Sequence, residues 1–322
     1  MARTRYATDK GLVARMSATM FMLGLVFTAF IAALVYLLSR YSSISGGGII
    51  FIAVLFGVAV TFGSYFYSDK IALSTSGARL VSPQDGEQAA RLHAIIDRIC
   101  ALADMPKPRV AIAPTDMPNA FATGRNSKVA VICATQGIMR RLDNNELEGV
   151  LAHEMSHVAH KDVAVMTIAS FIGIIAALVV RFAFYSELFG GGGRGRGRGG
   201  NNNQSTFPII LAVMVVSMVV YAISFLLIRM LSRYRELSAD RSGALLTGNP
   251  SALASALQKV TGQIAMIPTR DLRSAEPLNA FYFAPALSAR KGELSLSGLF
   301  STHPSLEKRL AELDKVAKQL GR

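Results

Sequence analysis

His153-Glu154-Met155-Ser156-His157 puts two imidazoles at i and i+4, with a carboxylate directly after the first. On a helix that spacing sets both histidines on one face, one turn apart, where two ring nitrogens can grip a single Zn²⁺. The glutamate projects to the side of that face, so it can stand beside metal-held water without binding the metal. This chemistry requires a helix, and the flanks predict one. Leu142-Asp143-Asn144-Asn145-Glu146 reads as a helix start, with Asp143 as N-cap and Glu146 three residues on in a capping-box arrangement. Leu147, Val150, Leu151 and Met155 then recur at helical spacing. A chance match on a soluble helix is the competing reading, and the rest of the chain argues against it.

The chain has 322 residues, 51% of them hydrophobic, and a mean hydropathy of +0.37, too apolar for an ordinary soluble domain. Residues 17–38 and 46–67 are each uncharged and long enough to cross a bilayer core of about 30 Å as helices. Residues 163–184 and 207–228 are two further candidates, with only Arg181 inside, near one end, where it can snorkel to the interface. The reading is therefore an α-helical membrane protein with four spans in two hairpins. The first span follows Arg3, Arg5, Lys10 and Arg15. It is too long for a signal-peptide core, and another span follows almost at once, so an uncleaved anchor is expected. The positive-inside bias puts the N-terminus in the cytoplasm, and with it residues 68–162 and the segment after span four, flanked by Arg229, Arg233 and Arg235. Arg194, Arg196 and Arg198 fall in the outer loop against that bias and are outvoted by the other flanks.

The resulting division is a tail and first hairpin at 1–67, a first catalytic part at 68–162, a second hairpin at 163–231 and a second catalytic part at 232–322. Within the soluble parts, 82–104 reads as an amphipathic helix, with Leu92, Ile95, Ile96, Ile99 and Leu102 as its stripe and His93 at the boundary. Residues 109–113 and 128–133 read as short strands, and 251–262 and 305–320 as helices. Between the strands, residues 119–124 (Asn119, Ala120, Phe121, Ala122, Thr123, Gly124) run extended after Pro118. They form either a sheet edge able to take an extended peptide by strand addition or an ordinary loop. Residues 190–204 are a glycine-rich, Arg-Gly and Asn stretch, read as a flexible loop between spans rather than an RNA-binding element. The net charge of +13 is spread along membrane flanks and the C-terminal third, which points to anionic lipid heads and not to nucleic acid. Cys100 and Cys133 imply no disulfide framework and read as small buried hydrophobes.

Two histidines do not complete a catalytic zinc site, which ordinarily has three protein ligands and a water. His160 lies one turn past His157, but a straight helix does not offer it easily as the third. The stretch Glu236-Leu237-Ser238-Ala239-Asp240 follows the last span, and two crossings after His157 return it to the same side. Glu236 and Asp240 stand at i and i+4, so Glu236 can bind the ion while Asp240 accepts the free ring N–H of a liganding histidine.

Together, HEMSH, ELSAD and Ser301-Thr302-His303-Pro304, in this order, resemble the HtpX heat-shock membrane metalloproteases, relatives of the CAAX prenyl proteases. The similarity runs from the N-terminal hairpin through the Asn119 stretch to the tail from Pro277-Leu278-Asn279 to Arg309. It implies a mainly α, α+β zincin-like catalytic domain with a small sheet. Further, it implies one Zn²⁺ per subunit on His153, His157 and Glu236, Glu154 as the catalytic residue, and residues 119–122 as the substrate-binding edge strand. His303 is brought to the site by the same resemblance, as a candidate donor to the oxyanion. The implied setting is the bacterial inner membrane, with damaged or unfolded membrane proteins as substrates, lipids and other quality-control proteases as partners, and no nucleic acid.

The helix of the motif is expected to run directly into span three, which would set the metal at or just below the cytoplasmic surface. An intramembrane-cleaving protease is the nearest alternative. A transporter with a structural zinc would carry ionisable residues near its span centres, and none stands there. A chaperone-like zinc binder would have no use for Glu154.

Overall fold

The computed structural model describes residues 10–40, 46–190, 207–266 and 303–321. The Gly/Arg-rich stretch, Pro277-Leu278-Asn279 and Ser301-Thr302 lie outside the described residues. Numbered over what is described, the elements run α1 (Lys10–Arg40), α2 (Gly46–Ser76), β1 (Arg79–Leu80), α3 (Glu87–Ala103), β2 (Arg109–Ala113), β3 (Ala120–Thr123) and β4 (Val131–Thr135). There follow α4 (Gln136–Arg141), α5 (Asn144–Ala159), α6 (Asp162–Gly190), α7 (Phe207–Thr247), α8 (Pro250–Met266) and α9 (Leu306–Gln319).

The chain divides into two compact units. One comprises Ser17–Gly63 and Met166–Ile228 and is wholly helical where described. Small residues let its helices approach. A Cβ on the buried Gly57 of α2 would collide with the Ile175 side chain of α6, and one on Gly173 of α6 would lie 3.8 Å from Ile228 of α7. Phe27 of α1 meets Phe171 of α6 with ring centroids 6.1 Å apart. Among the described residues three helical stretches are long and apolar enough to cross a membrane: Val13–Leu37, Asp162–Arg181 and Ile210–Thr247. The remaining expected span, 46–67, falls within α2, where the side chains of residues 46–54 and 64 lie outside the described set.

The other unit, Met1–Met16, Ser64–Val165 and Arg229–Arg322, is built on a sheet of order β1-β2-β4-β3. Strand β2 is parallel to β4 while β1 and β3 run antiparallel to their neighbours, and β3 ends the sheet among the described residues. The last strand starts at Val131, later than the expected 128–133, because Asn126 Oδ1 accepts from the amides of Lys128 and Val129 and holds them in a turn. Helices α3, α5, α8 and α9 pack a common core with this sheet, Leu92, Ile96, Ile132, Leu147, Leu151, Leu257 and Val316 being almost wholly enclosed.

The predicted start of α5 is present. Asp143 Oδ1 accepts from Asn145 N and Glu146 N at 2.8 and 2.9 Å, and the Asp143 amide donates to Glu146 Oε2 at 3.1 Å. Glu146 also receives Ser255 and Lys259 from α8, which ties the helix start to its neighbour.

Three details differ from expectation. Leu102 is exposed, since α3 has turned it off the stripe by its last turn. His93 is buried rather than at the boundary, with Nε2 2.9 Å from the Val81 carbonyl. And α5 does not run on into α6. His160 caps it, Lys161 takes a left-handed φ of 57°, and α6 begins afresh at Asp162.

Cys100 and Cys133 are free and buried. Burial, with the Asp97 charge adding to it, pushes the Cys100 thiol up to about 11, and burial pushes Cys133 up to about 12. The thiolate is the reactive form, and raising the pKa removes it. At pH 8 the folded protein should therefore resist alkylation at both positions while the denatured chain reacts, as read by mass spectrometry. Equal rates in both states would contradict this burial.

Candidate metal centre

Two close backbone contacts position the motif helix. A Cβ on Gly149 of α5 would lie 3.2 Å from the Leu253 backbone of α8. One on Gly243 of α7 would lie 2.9 Å from the backbone nitrogen of His153, so α7 can approach α5 this closely only with glycine there. One turn before Gly243 stands Asp240, and one turn before that Glu236, both on the side facing the histidines.

That approach brings three ligand atoms together. His153 Nε2 and His157 Nε2 are 3.2 Å apart, and Glu236 lies 3.7 Å from the first through Oε2 and 3.5 Å from the second through Oε1. A tetrahedral ion with bonds of about 2.1 Å sets its ligands about 3.4 Å from one another. The three side chains thus enclose a position that fits a metal of that kind. The charges agree. Arg235 pairs with Asp162 and Arg309 with Asp240, which leaves the buried Glu236 carboxylate facing the two ring nitrogens, with Glu154 beside it. A cation at that position would balance this buried negative charge.

Each liganding ring is held from behind by a carboxylate, and each carboxylate by an arginine. His153 Nδ1 lies 2.9 Å from Asp240 Oδ1. Asp240 in turn receives Arg309 of α9 through two nitrogens, Nε to Oδ2 at 2.7 Å and Nη2 to Oδ1 at 2.6 Å. His157 Nδ1 lies 2.5 Å from Asp162 Oδ2, and Arg235 Nη2 is 2.7 Å from that same oxygen. Burial holds His153 below the usual imidazole value, with Asp240 pulling the other way. Burial also acts to lower His157, but the Asp162 hydrogen bond and charge outweigh it and raise the ring. A carboxylate on Nδ1 leaves Nε2 of each ring as the nitrogen that faces the metal position.

Glu154 is buried beside the three ligands, and its Oε2 accepts from the Ala122 amide at 3.0 Å. Burial pushes its carboxyl up to about 7, the Glu236 charge adding to this while His157, the Ala122 amide and Arg309 oppose it. A group in that range can both take and return a proton near neutrality. His303, from the segment leading into α9, is also buried and places Nδ1 2.9 Å from Glu236 Oε2, so it touches the third ligand. Asn119 and Ala120 are buried at the start of the edge strand, and Asn119 exchanges hydrogen bonds with Thr135. Phe121 turns into a small cluster with Val131 and Cys133. His160 does not join the ligand set.

The structure therefore brings together His153, Glu154, His157, Glu236, Asp240 and His303, with Ala122 beside them. Sequence reasoning missed Asp162, Arg235 and Arg309. Asp162 looked like the last residue before a membrane span on an unbroken helix. Arg235 counted only as a topology marker, although its place directly before Glu236 was a usable signal. Arg309 lay inside the tail whose resemblance was noted, without a role.

Residues 86–317 match the family described as Peptidase family M48. The chain is 53% identical over 319 residues to Protease HtpX homolog 1 of Streptomyces coelicolor, covering 99% of this chain and 97% of that protein. It is 46% identical over 318 residues to Protease HtpX homolog 2 of Methanosarcina mazei, covering 99% of each. The crystal structure of S. mikatae Ste24p shares the fold, with a TM-score of 0.50 and 16% identity over 97% of this chain and 68% of that one.

Arg309 is 1% exposed and its partner Asp240 fully enclosed. Arg309→Met leaves Asp240 as an uncompensated buried charge, a loss of about 3–5 kcal/mol. Chemical unfolding of the purified protein should show that loss, and the charge-neutral pair Arg309→Met/Asp240→Asn should recover much of it. A single variant as stable as the wild type would sink this account of the pair.

Proposed function

The chain belongs to peptidase family M48, a membrane metalloprotease acting on peptide bonds, and we propose that it is a zinc-dependent endopeptidase with its site at the cytoplasmic face. The observation that carries the reading is the triangle of His153 Nε2, His157 Nε2 and a Glu236 carboxylate with Glu154 buried at its side. His153, His157 and Glu236 hold one zinc ion per chain. Bound there, zinc supplies a Lewis acid that activates water and stabilises the negative charge developing on the scissile carbonyl.

The protein's own groups do the rest. Glu154 takes a proton from the attacking water and returns it to the leaving amine, a shuttle suited to a carboxyl near neutral pKa. Asp240 and Asp162 fix the tautomers of the two rings. His303 steadies Glu236 through Nδ1 and, when both ring nitrogens carry hydrogen, offers the second to the oxyanion.

Strand β3 is the binding edge. Alternation along an antiparallel strand turns the backbone groups of Ala120 and Ala122 away from β4, and an extended substrate segment pairs there by strand addition. The Ala122 amide already serves Glu154, so substrate pairing and general base share one residue of the edge. Asn119 anchors that edge through Thr135, and Phe121 keys it into the cluster on the other side.

The substrates we assign are damaged or misfolded membrane proteins, cut where loops or extruded segments reach the cytoplasmic side. The setting is the bacterial inner membrane, crossed four times, alongside other quality-control proteases. The distribution of Lys and Arg around the apolar stretches supports this orientation, and the three apolar helices support a membrane setting.

Detergent-purified protein, metal-free and zinc-loaded, incubated with casein, tests the reading when Glu154→Gln is run alongside with zinc content measured for each. Cleavage by the zinc-loaded wild type alone, with equal zinc in the variant, is the expected result. The loss should be at least on the scale of removing a general base, about 10²–10⁴-fold. A folded wild type that takes up no zinc would overturn the reading.

A further inference from the structure

The two liganding rings are supported by similar partners arranged differently. Behind His153, Arg309 meets both oxygens of Asp240, the arrangement that gives a carboxylate–guanidinium pair its greatest strength. Behind His157 the contacts converge on one atom. Asp162 Oδ2 lies 2.5 Å from His157 Nδ1 and 2.7 Å from Arg235 Nη2. Its other oxygen, Oδ1, and Arg235 Nε are buried and find no hydrogen-bond partner among the described residues. An ion pair arranged for its own stability would use both, since two unmet buried polar atoms are costly. As at Asp240 Oδ1, one oxygen serves imidazole and guanidinium at once, but here that shared oxygen is the whole of the contact, so the pair is turned toward the ring and away from its own bidentate geometry.

The backbone is arranged to the same end. Asp162 reaches His157 only because α5 stops at His160 and Lys161 adopts a left-handed conformation, which a residue with a Cβ rarely takes. The new helix starts at Asp162, and the amides of Ala164 and Val165 return to the Lys161 carbonyl. An unbroken helix would put Asp162 five residues past His157, on a different face. Arg235 comes from the residue directly before Glu236, so consecutive side chains of α7, turned apart by the helix, point one at the ligand position and one at Asp162.

We propose that Arg235 is a positioning residue for the metal site. Through Asp162 it fixes the ring of His157, so that α7 holds the centre at two successive residues, Glu236 directly and Arg235 by way of the N-terminus of α6. This inference rests on the zinc reading above. Because the guanidinium contact is made through a single nitrogen, a lysine ammonium can take its place, unlike at Arg309, where the planar fork is used.

The test measures zinc affinity by competition with a chromogenic chelator on the full-length protein in detergent, together with the electronic spectrum of the cobalt-substituted form. Arg235→Met is expected to bind zinc about 10- to 100-fold more weakly, the usual effect of losing an outer support of a ligand, with an altered cobalt spectrum. Arg235→Lys should restore both to near the wild type. The double variant Asp162→Asn/Arg235→Met leaves no buried charge unpaired, so it guards against simple misfolding. It too should bind zinc more weakly. Wild-type affinity and spectrum in Arg235→Met or in the double variant would overturn the proposal. Failure of the wild type itself to bind zinc would overturn the underlying reading instead.

Discussion

The distance between two helix backbones governs this site. Helix α7 lies so close to α5 that a methyl group on Gly243 would press on the amide of His153. At that separation the side chains of Asp240 and Glu236, one and two turns earlier, can reach the histidine ring nitrogens, Asp240 at Nδ1 of His153 and Glu236 at Nε2 of both rings. Were the helices held apart by even an ordinary side chain, the carboxylates would fall short and the ligand triangle would open. Gly149 likewise lets α8 come close to α5 through the Leu253 backbone.

Burial is the second constraint. Four carboxylates and two guanidiniums brought into a largely closed space would be strongly unfavourable unless nearly every one were paired. The site meets this by making each ionised group serve a positional purpose. Asp240 neutralises Arg309 and orients His153; Asp162 does the same between Arg235 and His157. The Glu236 carboxylate left facing the ring nitrogens makes the centre receptive to a cation. Glu154, enclosed but held to the Ala122 amide, sits between these demands with a carboxyl able to exchange its proton near neutrality.

The same helices serve two environments. Helices α6 and α7 contain two of the stretches apolar enough to cross a membrane, yet their polar ends supply Asp162, Arg235, Glu236 and Asp240. A long helix needs no loop to change from an apolar to a charged surface, so one helix can carry both the apolar stretch and the site residues. The edge strand completes the arrangement, since β3 is short, lies at the end of the sheet among the described residues and is bonded to Glu154.

Much of this was legible in the sequence because it is written in short-range periodicity. The i, i+4 histidines, the Asp143–Glu146 capping box, the strand at 109–113 and the amphipathic stripe of α3 depend on residues within a turn or two of one another, and local geometry repeats faithfully. The chain alone also pointed to the segment after the last apolar stretch as the source of a third ligand, and the structure brings Glu236 of that segment beside the two histidines. What it could not determine was the break at Lys161, the inward turn of His93 and the later start of β4, each decided by a hydrogen bond or a dihedral that pattern does not encode. Nor did it reveal that Asp162, Arg235 and Arg309 belong to the site. Their charges look like surface or membrane-flanking charges until helices far apart in sequence pack within a few ångströms. Only the tertiary structure decided that these ions would be buried together, because the energy of a buried charge is set by its neighbours in space and not by its neighbours in the chain.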